Sequence, residues 1–135
     1  MARLLPLLVL LLSACATRPP LDAEGVLQSV TPAQAVTEAQ RVEGTAVLWG
    51  GVIVASSNEP ETTRLEVLAY PLNDRQRPRT EAEPLGRFLA VKGGYLETKD
   101  YAAGREVSLV GTVEGTRTGR IGEAEYTYPL VRVRQ

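Results

Sequence analysis

The sequence predicts an all-β fold, a small five-stranded barrel with one or two short helices. Three observations lead to it. Five apolar or alternating segments follow Thr45, as expected of strands that are buried on one face. A Gly-Gly pair interrupts the first and longest segment, and small barrels need sharp bends of this kind. A short helix-compatible segment separates the third strand from the fourth. The layout is OB-like, although a β-sandwich or an open meander would share much of the pattern.

The strands are predicted from runs of β-branched and aromatic residues bounded by Gly, Pro and charged residues. In the fourth, apolar and polar positions alternate cleanly. In the fifth, the inward phase changes at Pro129, which predicts a β-bulge. The predicted segments are Val47–Ala55 around Gly50-Gly51, Leu65–Leu72, Arg87–Val91, Glu106–Glu114 and a last strand from Ala124 to Arg134.

Short helices are predicted at two places. Thr31-Pro32 resembles a helix start, with Thr as N-cap and Pro at the first helical position, and Gly44 would end the helix. A second short helix is predicted over Thr98–Ala103, where Gly104 would stop it.

The N-terminus has the parts of a lipoprotein export signal in order. Arg3 precedes the apolar run Leu4–Leu12, and Ser13-Ala14 lead to Cys15, the only cysteine of the chain. Nine apolar residues span about 14 Å as a helix, whereas a transmembrane helix needs roughly 20 residues. The pattern Leu-Ser-Ala-Cys therefore predicts cleavage after residue 14 and lipidation of Cys15. An ordinary signal peptide with a chance cysteine, or a buried N-terminal strand, are the alternatives.

This signal divides the chain into three parts. Residues 1–14 are predicted as signal peptide, 15–30 as a lipidated flexible tether rich in Pro, Gly and charge, and 31–135 as the barrel domain. Two or more acyl chains hold a protein stably at a membrane. Ala16 follows the cysteine, in place of the Asp that would indicate retention at the inner membrane. The expected location is the outer membrane, with the domain facing the periplasm.

Composition excludes several classes of function. The chain has no histidine and one cysteine, so Ser-His-Asp and Cys-His catalysis, the usual zinc sites and an internal disulfide are not expected. Without Arg3 the mature chain carries 14 basic and 16 acidic side chains, a net charge of −2. Bulk attraction to nucleic acid is therefore not expected. We predict a protein without catalytic residues, metal or cofactor.

A set of segments from about residue 30 onward has a recognisable order along the chain. The segments are Leu48–Ile53, Leu65–Leu72, Gly86–Leu89, Tyr101 with Gly104-Arg105, Val110–Val113 with Gly115, and Ile121–Glu123 with Tyr126 and Tyr128-Pro129. In these segments and their order the chain resembles the Slp family of outer-membrane lipoproteins. The resemblance implies an anchored envelope lipoprotein, often associated with stress or stationary-phase conditions, and it implies no catalytic residues.

Charged residues suggest two candidate sites. Arg75, Arg77 and Arg79 alternate between the second and third strands, so in an extended segment they would point one way and meet lipid phosphate. The alternative is a soluble hairpin tip. Paired carboxylates can catalyse glycan hydrolysis, but the pairs here lie in loops or on solvent faces, where a solvated surface is the simpler interpretation. The pairs are Glu59/Glu61, Glu81/Glu83 and Glu123/Glu125.

Aromatic residues suggest a third candidate. Tyr70, Tyr126 and Tyr128 would form a ligand face if they were exposed together, because stacking on aromatic rings suits sugars. Trp49 and Phe88 are assigned to the core, since a small barrel needs bulky side chains inside.

Three functions follow, in order of preference. The first is a non-catalytic interaction or maintenance module of the envelope, attached to the membrane by its lipid, with an envelope protein or glycan as partner. The second is a ligand-binding module for a periplasmic glycan, peptide or lipid headgroup on the barrel face. An envelope hydrolase that uses a carboxylate pair is the third alternative.

Overall fold

The computed structural model describes residues 20–27 and 30–134. Residues 1–14, predicted as signal peptide, and Cys15 lie outside the described residues. In the described part, two short helices precede five strands that form one sheet, so the predicted β-rich class is confirmed. The elements are α1 (Pro32–Thr37), α2 (Ala39–Val42), β1 (Ala46–Glu59), β2 (Thr62–Ala69), β3 (Arg87–Gly93), β4 (Glu106–Ile121) and β5 (Ala124–Val133).

The helix start follows the prediction closely. The Thr31 hydroxyl accepts a hydrogen bond from the Gln34 backbone N–H at 3.2 Å, and the Gln34 side chain accepts one from the Thr31 N–H at 3.0 Å. This reciprocal capping satisfies two backbone donors that a helix end would leave free. Pro32 occupies the first turn, and Gly44 has a φ of 83°, a left-handed conformation that suits glycine.

The sheet closes because β1 is shared. The strand order is β1-β2-β3-β5-β4, and β4 pairs again with β1 to complete a barrel. Residues Ala46–Val52 of β1 pair with β4, whereas residues from Gly51 onward pair with β2. The change of partner occurs at the predicted Gly-Gly bend, where strands approach too closely for a side chain. β3 and β5 run parallel, and the other pairs are antiparallel.

β4 is longer than predicted, since it continues past Glu114 to Ile121 as one arm of a hairpin with β5. The ladder between them is irregular between Val113 and Thr116, where two residues of β4 face one residue of β5. The predicted bulge is thus present, but the extra residue belongs to β4. Gly115, in that bulge, has a φ of 103°.

The predicted helix over Thr98–Ala103 is wrong, because the structure has turns there. The backbone N–H groups of Asp100 and Tyr101 both donate to the Glu97 carbonyl, which makes a single turn. Upstream, the Leu96 N–H donates to the hydroxyl of buried Thr63 at 2.9 Å, so this segment is held against β2 instead of starting a helix.

The core lies inside the barrel and extends under α1 and α2. Phe88 is fully buried and its ring centroid lies 5.3 Å from that of Trp49, which is 6% exposed, so both predicted core residues are confirmed. We call the described residues before α1 that precede Thr31, residues 20–27 and 30, the N-terminal segment. The Trp49 indole N–H donates to the Val30 carbonyl at 2.8 Å, which joins this segment to the barrel. In the described ranges, no helix is both long and apolar enough to cross a bilayer.

Candidate functional site

A groove of about 300 Å³ crosses the outward face of the sheet. On β2, Leu65 and Val67 are buried in the core, so Arg64 and Glu66, which alternate with them, point outward. Leu89 is the ladder partner of Glu66 and shares its face. We call this the outer groove. Its lining residues are Ala55, Ser57, Arg64, Glu66, Leu89, Arg117, Thr118, Gly119, Arg120 and Tyr128.

Two hairpins flank the outer groove. The β1–β2 hairpin supplies one side and the β4–β5 hairpin the other, with Leu89 of β3 between them. From Thr116 onward β4 has a ladder partner only in β5, because its pairing with β1 ends at Thr112. Within the described residues, the other edge of β4 therefore has no strand beside it along residues 117–120, all of which line the groove.

The floor of the groove is a hydrogen-bonded network around Glu66. One oxygen of its carboxylate lies 2.7 Å from Nη1 of Arg87, and the other accepts a hydrogen bond from the Tyr128 hydroxyl at 3.3 Å. The side chains of Glu66 and Arg87 are each about one quarter exposed. Such a pair fixes the direction of both side chains, and it neutralises the carboxylate at the groove floor.

Tyr126 and Tyr128 lie together beside this network. Their ring centroids are 4.7 Å apart, and the Arg87 backbone N–H donates to the Tyr126 hydroxyl oxygen at 2.9 Å. Tyr128 is only 3% exposed. A Cβ on Gly119 would lie 3.2 Å from its ring, so β4 passes directly over this tyrosine. The pair forms part of the groove wall, and Tyr128 offers little open ring surface for stacking.

The positive charge at the groove is only partly neutralised. Arg64 forms an ion pair with Glu59 at 3.2 Å. Arg117 and Arg120 are exposed, and within residues 20–27 and 30–134 neither forms an ion pair or a side-chain hydrogen bond. Glu66 is the one carboxylate among the lining residues, and Arg87 already pairs with it. Two guanidinium groups therefore remain available beside the groove.

Tyr70 lies elsewhere, half-buried at a second cavity of about 450 Å³. This cavity lies between β1, the end of β2 and the N-terminal segment. Its lining includes Ala23, Val30, Trp49, Leu72 and Leu85. Tyr70 is therefore separated from the outer groove, while Tyr128 lines it and Tyr126 packs on Tyr128.

The loop between β2 and β3 carries the three predicted arginines. Arg75, Arg77 and Arg79 are all exposed. Arg79 forms an ion pair with Glu81 at 3.0 Å. The Asn73 side chain accepts hydrogen bonds from the N–H groups of Arg75 and Arg77, so the first part of the loop is a turn and not an extended segment.

Gln76, in the same loop, is a residue that the sequence did not signal. Its side-chain oxygen accepts from the Leu21 N–H at 2.7 Å, and its side-chain nitrogen donates to the Leu21 carbonyl at 3.0 Å. Its φ of 61° is left-handed, which is uncommon for a glutamine. The Ser108 hydroxyl donates to the Gln76 carbonyl at 2.6 Å. Gln76 thus joins the N-terminal segment, its own loop and β4.

Val26, Leu27 and Val30 hold the N-terminal segment to the barrel at further points. Val26 forms an isolated parallel bridge with Ala46, and the Leu27 N–H donates to the Ala46 carbonyl at 2.9 Å. Val30 is 6% exposed and belongs to the core. The chain that leads to the predicted lipid is therefore held along the barrel as far back as Leu21.

The carboxylate pairs do not meet at a site. Glu59 is half-buried and paired with Arg64, and the other five members are exposed. In the part of the chain that the structure describes, no three acidic or cysteine side chains cluster as metal ligands. The outer groove therefore offers binding groups, and it does not offer two facing carboxylates.

Tyr128 is expected to make the stability of the fold depend on pH in the alkaline range. Its pKa is raised, first because burial disfavours the phenolate and second because the Glu66 carboxylate lies beside it. As pH rises through the ordinary tyrosine pKa, about 10, toward the higher folded value, the unfolded chain ionises first and the free energy of unfolding falls. We expect Tyr128→Phe to lose less stability over this range than the wild type, as measured by urea denaturation at a series of pH values.

Tyr95→Phe is the matched control, because Tyr95 is 67% exposed. It should keep the wild-type dependence on pH. An unchanged slope in Tyr128→Phe would show that burial of this hydroxyl does not govern the alkaline range.

Comparison with known proteins identifies the family. The family described as "Outer membrane lipoprotein Slp family" matches residues 12–135, a range that includes Cys15. The chain is 34% identical over 129 residues to the uncharacterized lipoprotein YeaY of Escherichia coli K12, covering 92% of this chain and 64% of the relative. It is 31% identical over 85 residues to the outer membrane protein Slp of the same organism, covering 63% and 45%.

A third relative is an uncharacterized protein of Haemophilus influenzae, 33% identical over 87 residues, with 64% of this chain and 47% of the relative covered. The chain thus spans about half to two thirds of the length of these relatives. No solved structure matches it. None of the three relatives has a name that describes a catalytic activity. The family match and these relatives place this chain in the Slp family of outer membrane lipoproteins.

Proposed function

We propose that this protein is a non-catalytic binding module of the envelope, attached to the outer membrane through a lipid on Cys15, whose barrel faces the periplasm. The ligand-binding alternative predicted from the sequence is the form of this function that the geometry favours. The observation that carries the proposal is the outer groove, which is lined by residues with hydrogen-bonding and cationic side chains.

We also infer that the barrel is of the OB type. Five strands in the order β1-β2-β3-β5-β4, with a long first strand shared between two partners, support this assignment. OB barrels bind ligands on the face of the second and third strands, between the β1–β2 and β4–β5 connections. Glu66 of β2 and Leu89 of β3 line the outer groove, and the same two hairpins flank it. The location of the groove therefore supports a binding role.

The barrel is held close to the membrane in this proposal. Leu21 is the sixth residue after Cys15, and six residues of extended chain reach about 20 Å at most. Since Gln76 binds Leu21, the loop that carries Arg75 and Arg77 lies at the end of the barrel nearest the lipid. We propose that these two arginines contact lipid phosphate, whereas Arg79 is already paired with Glu81.

Attachment is tested first, by comparing the wild type with Cys15→Ala after labelling of cells with radioactive palmitate and flotation of membranes. We expect the wild type to carry label and to float with the outer membrane, and the variant to do neither. Acyl label on Cys15→Ala, or its full recovery with outer membranes, would contradict lipidation at this residue.

Binding is tested by photo-cross-linking of the full chain in intact cells. A photoreactive residue replaces Thr118 in the outer groove or, as the matched control, Thr37 on α1, which is also an exposed threonine. We expect discrete adducts from position 118 and none from position 37. Adducts from neither position, or the same adducts from both, would overturn the proposal that the groove is the binding face.

A further inference from the structure

Resting on the proposed function, we propose that the outer groove binds a sugar that carries an oxyanion, either phosphate or carboxylate, with Arg117 and Arg120 holding the charged group. The uncharged part of the sugar would lie over Leu89 and hydrogen-bond to the hydroxyl and carboxylate groups of the lining.

The charge of the groove selects an anion. Each of its other charged groups has a partner: Arg64 pairs with Glu59, and Glu66 pairs with Arg87. In the described residues Arg117 and Arg120 have neither an ion pair nor a side-chain hydrogen bond, so they are the two uncompensated charges. Guanidinium groups bind phosphate and carboxylate through pairs of hydrogen bonds, which makes them suited to this role.

Acidic residues near the hairpin end do not cancel this charge by direct pairing. Glu125 is the ladder partner of Arg120, yet no ion pair joins them, and neither Glu125 nor Glu123 lines the groove. Glu114 is already paired with Arg132 at 2.7 Å. The side of the groove formed by residues 117–120 is therefore positive where it borders the cavity.

The remaining groups suit a sugar ring. Ser57 and Thr118 contribute hydroxyls, and the open edge of β4 can contribute backbone groups to hydrogen bonds. Glu66 is an acceptor whose charge Arg87 already neutralises, so it can bind a sugar hydroxyl without repelling a nearby anion. A volume of about 300 Å³ is at the small end of ligand sites, which favours one or two rings over a long polymer segment.

The position of the groove favours a periplasmic ligand over a headgroup of the membrane that anchors the protein. Arg64 lies five residues before Ala69 on β2, a separation of about 17 Å along the strand. The loop that binds Leu21 follows Ala69. The groove is therefore displaced along the barrel from the end where the tether is held.

The test is a titration of the isotope-labelled mature chain in detergent micelles, with ligand binding followed by the amide shifts of Gly119 and its neighbours. The probes are glucose, glucose 6-phosphate, glucuronate, inorganic phosphate and triglutamate. We expect glucose 6-phosphate and glucuronate to bind and glucose to bind far more weakly. The stronger of the two would distinguish phosphate from carboxylate as the preferred group. Inorganic phosphate alone should bind more weakly than the sugar phosphate.

Two double variants distinguish binding in the outer groove from nonspecific attraction to positive charge. Arg117→Gln with Arg120→Gln should lower the affinity for the charged sugars about tenfold or more, because each lost charge-assisted hydrogen bond weakens binding substantially. Arg105→Gln with Arg134→Gln removes the same charge from exposed arginines outside the groove and should leave the affinity unchanged. Unfolding curves of both variants check that the fold is intact.

Several results would overturn the inference. Equal binding of glucose and glucose 6-phosphate, or equal losses in the two double variants, would exclude recognition of an oxyanion by the groove. Preferential binding of triglutamate would assign the groove to an acidic peptide. If none of the probes binds at millimolar concentration while cross-links from position 118 persist, the anionic sugar is wrong and the proposed binding function remains.

Discussion

Gly51→Ala is expected to lower the free energy of unfolding by about 3 kcal/mol, a large share of the stability of a small domain. A Cβ at this position would overlap the Leu68 carbonyl oxygen and lie 2.8 Å from the Cα of Ala69, its ladder partner. Both are backbone atoms of β2, so no side-chain rotation relieves the clash. The two strands would have to separate where β1 changes partner.

This effect is measured by urea denaturation, with the fluorescence of Trp49, the only tryptophan of the chain, as the signal of unfolding. Gly93→Ala is the matched control, since a Cβ on Gly93 meets nothing within 4 Å and its φ is outside the left-handed region. The control should stay within about 0.5 kcal/mol of the wild type. Equal effects of the two substitutions would refute the close approach of β1 and β2 at Gly51.

Phe88→Ala is expected to cost about 3 to 5 kcal/mol, the usual range for removal of a buried phenylalanine. Phe88 is the only phenylalanine and is fully buried at the start of β3, where it packs on the ring of Trp49. Its loss would leave a cavity in the barrel interior. Strands that pair on both sides, as β3 does with β2 and β5, have little freedom to collapse into that cavity.

Phe88→Leu should cost much less than Phe88→Ala, because most of the buried volume is retained. Tyr95→Ala removes an aromatic ring that is 67% exposed and should change stability little. Circular dichroism should accompany fluorescence, since Phe88 is a neighbour of the fluorescent Trp49. If Phe88→Ala proved no more destabilising than Tyr95→Ala, the position of Phe88 in the core would be wrong.

Local sequence was sufficient for features that depend on a few neighbouring residues. Thr31 and Pro32 predict a helix start, because N-capping by Thr31 and the fixed φ of Pro32 both act within one turn. The fourth and fifth strands followed from alternation, since a strand with one buried face repeats every two residues. Gly50-Gly51 marked the place where β1 bends and changes partner, because only glycine tolerates such close backbone approach.

The helix predicted over Thr98–Ala103 and the predicted end of β4 are wrong for the same reason. Thr98–Ala103 has a composition compatible with a helix, but Thr63, more than thirty residues earlier, binds the backbone just before it. β4 continues beyond Glu114 because β5 supplies a partner as far as Ile121. In both cases a distant segment decides which backbone hydrogen bonds form, and propensity within a short window does not contain that information.

At the candidate site, too, residue type alone did not show which side chains lie together. The three tyrosines were grouped by residue type, but only Tyr126 and Tyr128 are neighbours, and burial leaves Tyr128 little open surface. From the sequence, Arg117 and Arg120 look like ordinary charges of a hairpin. The structure shows that they border a groove and that neither forms an ion pair with another described residue. The role of Gln76 could not be predicted from the sequence, because its side chain binds the backbone of Leu21, 55 residues away.

The sequence by itself determined the lipoprotein class, the β-rich fold and the helix start. These depend on composition and on contacts within a few residues. Only the tertiary structure decided which side chains share a face, which charges remain unpaired and where the chain to the lipid is held. Those properties arise when distant strands pair, since pairing selects which groups are buried, which are neutralised and which are left to bind a ligand.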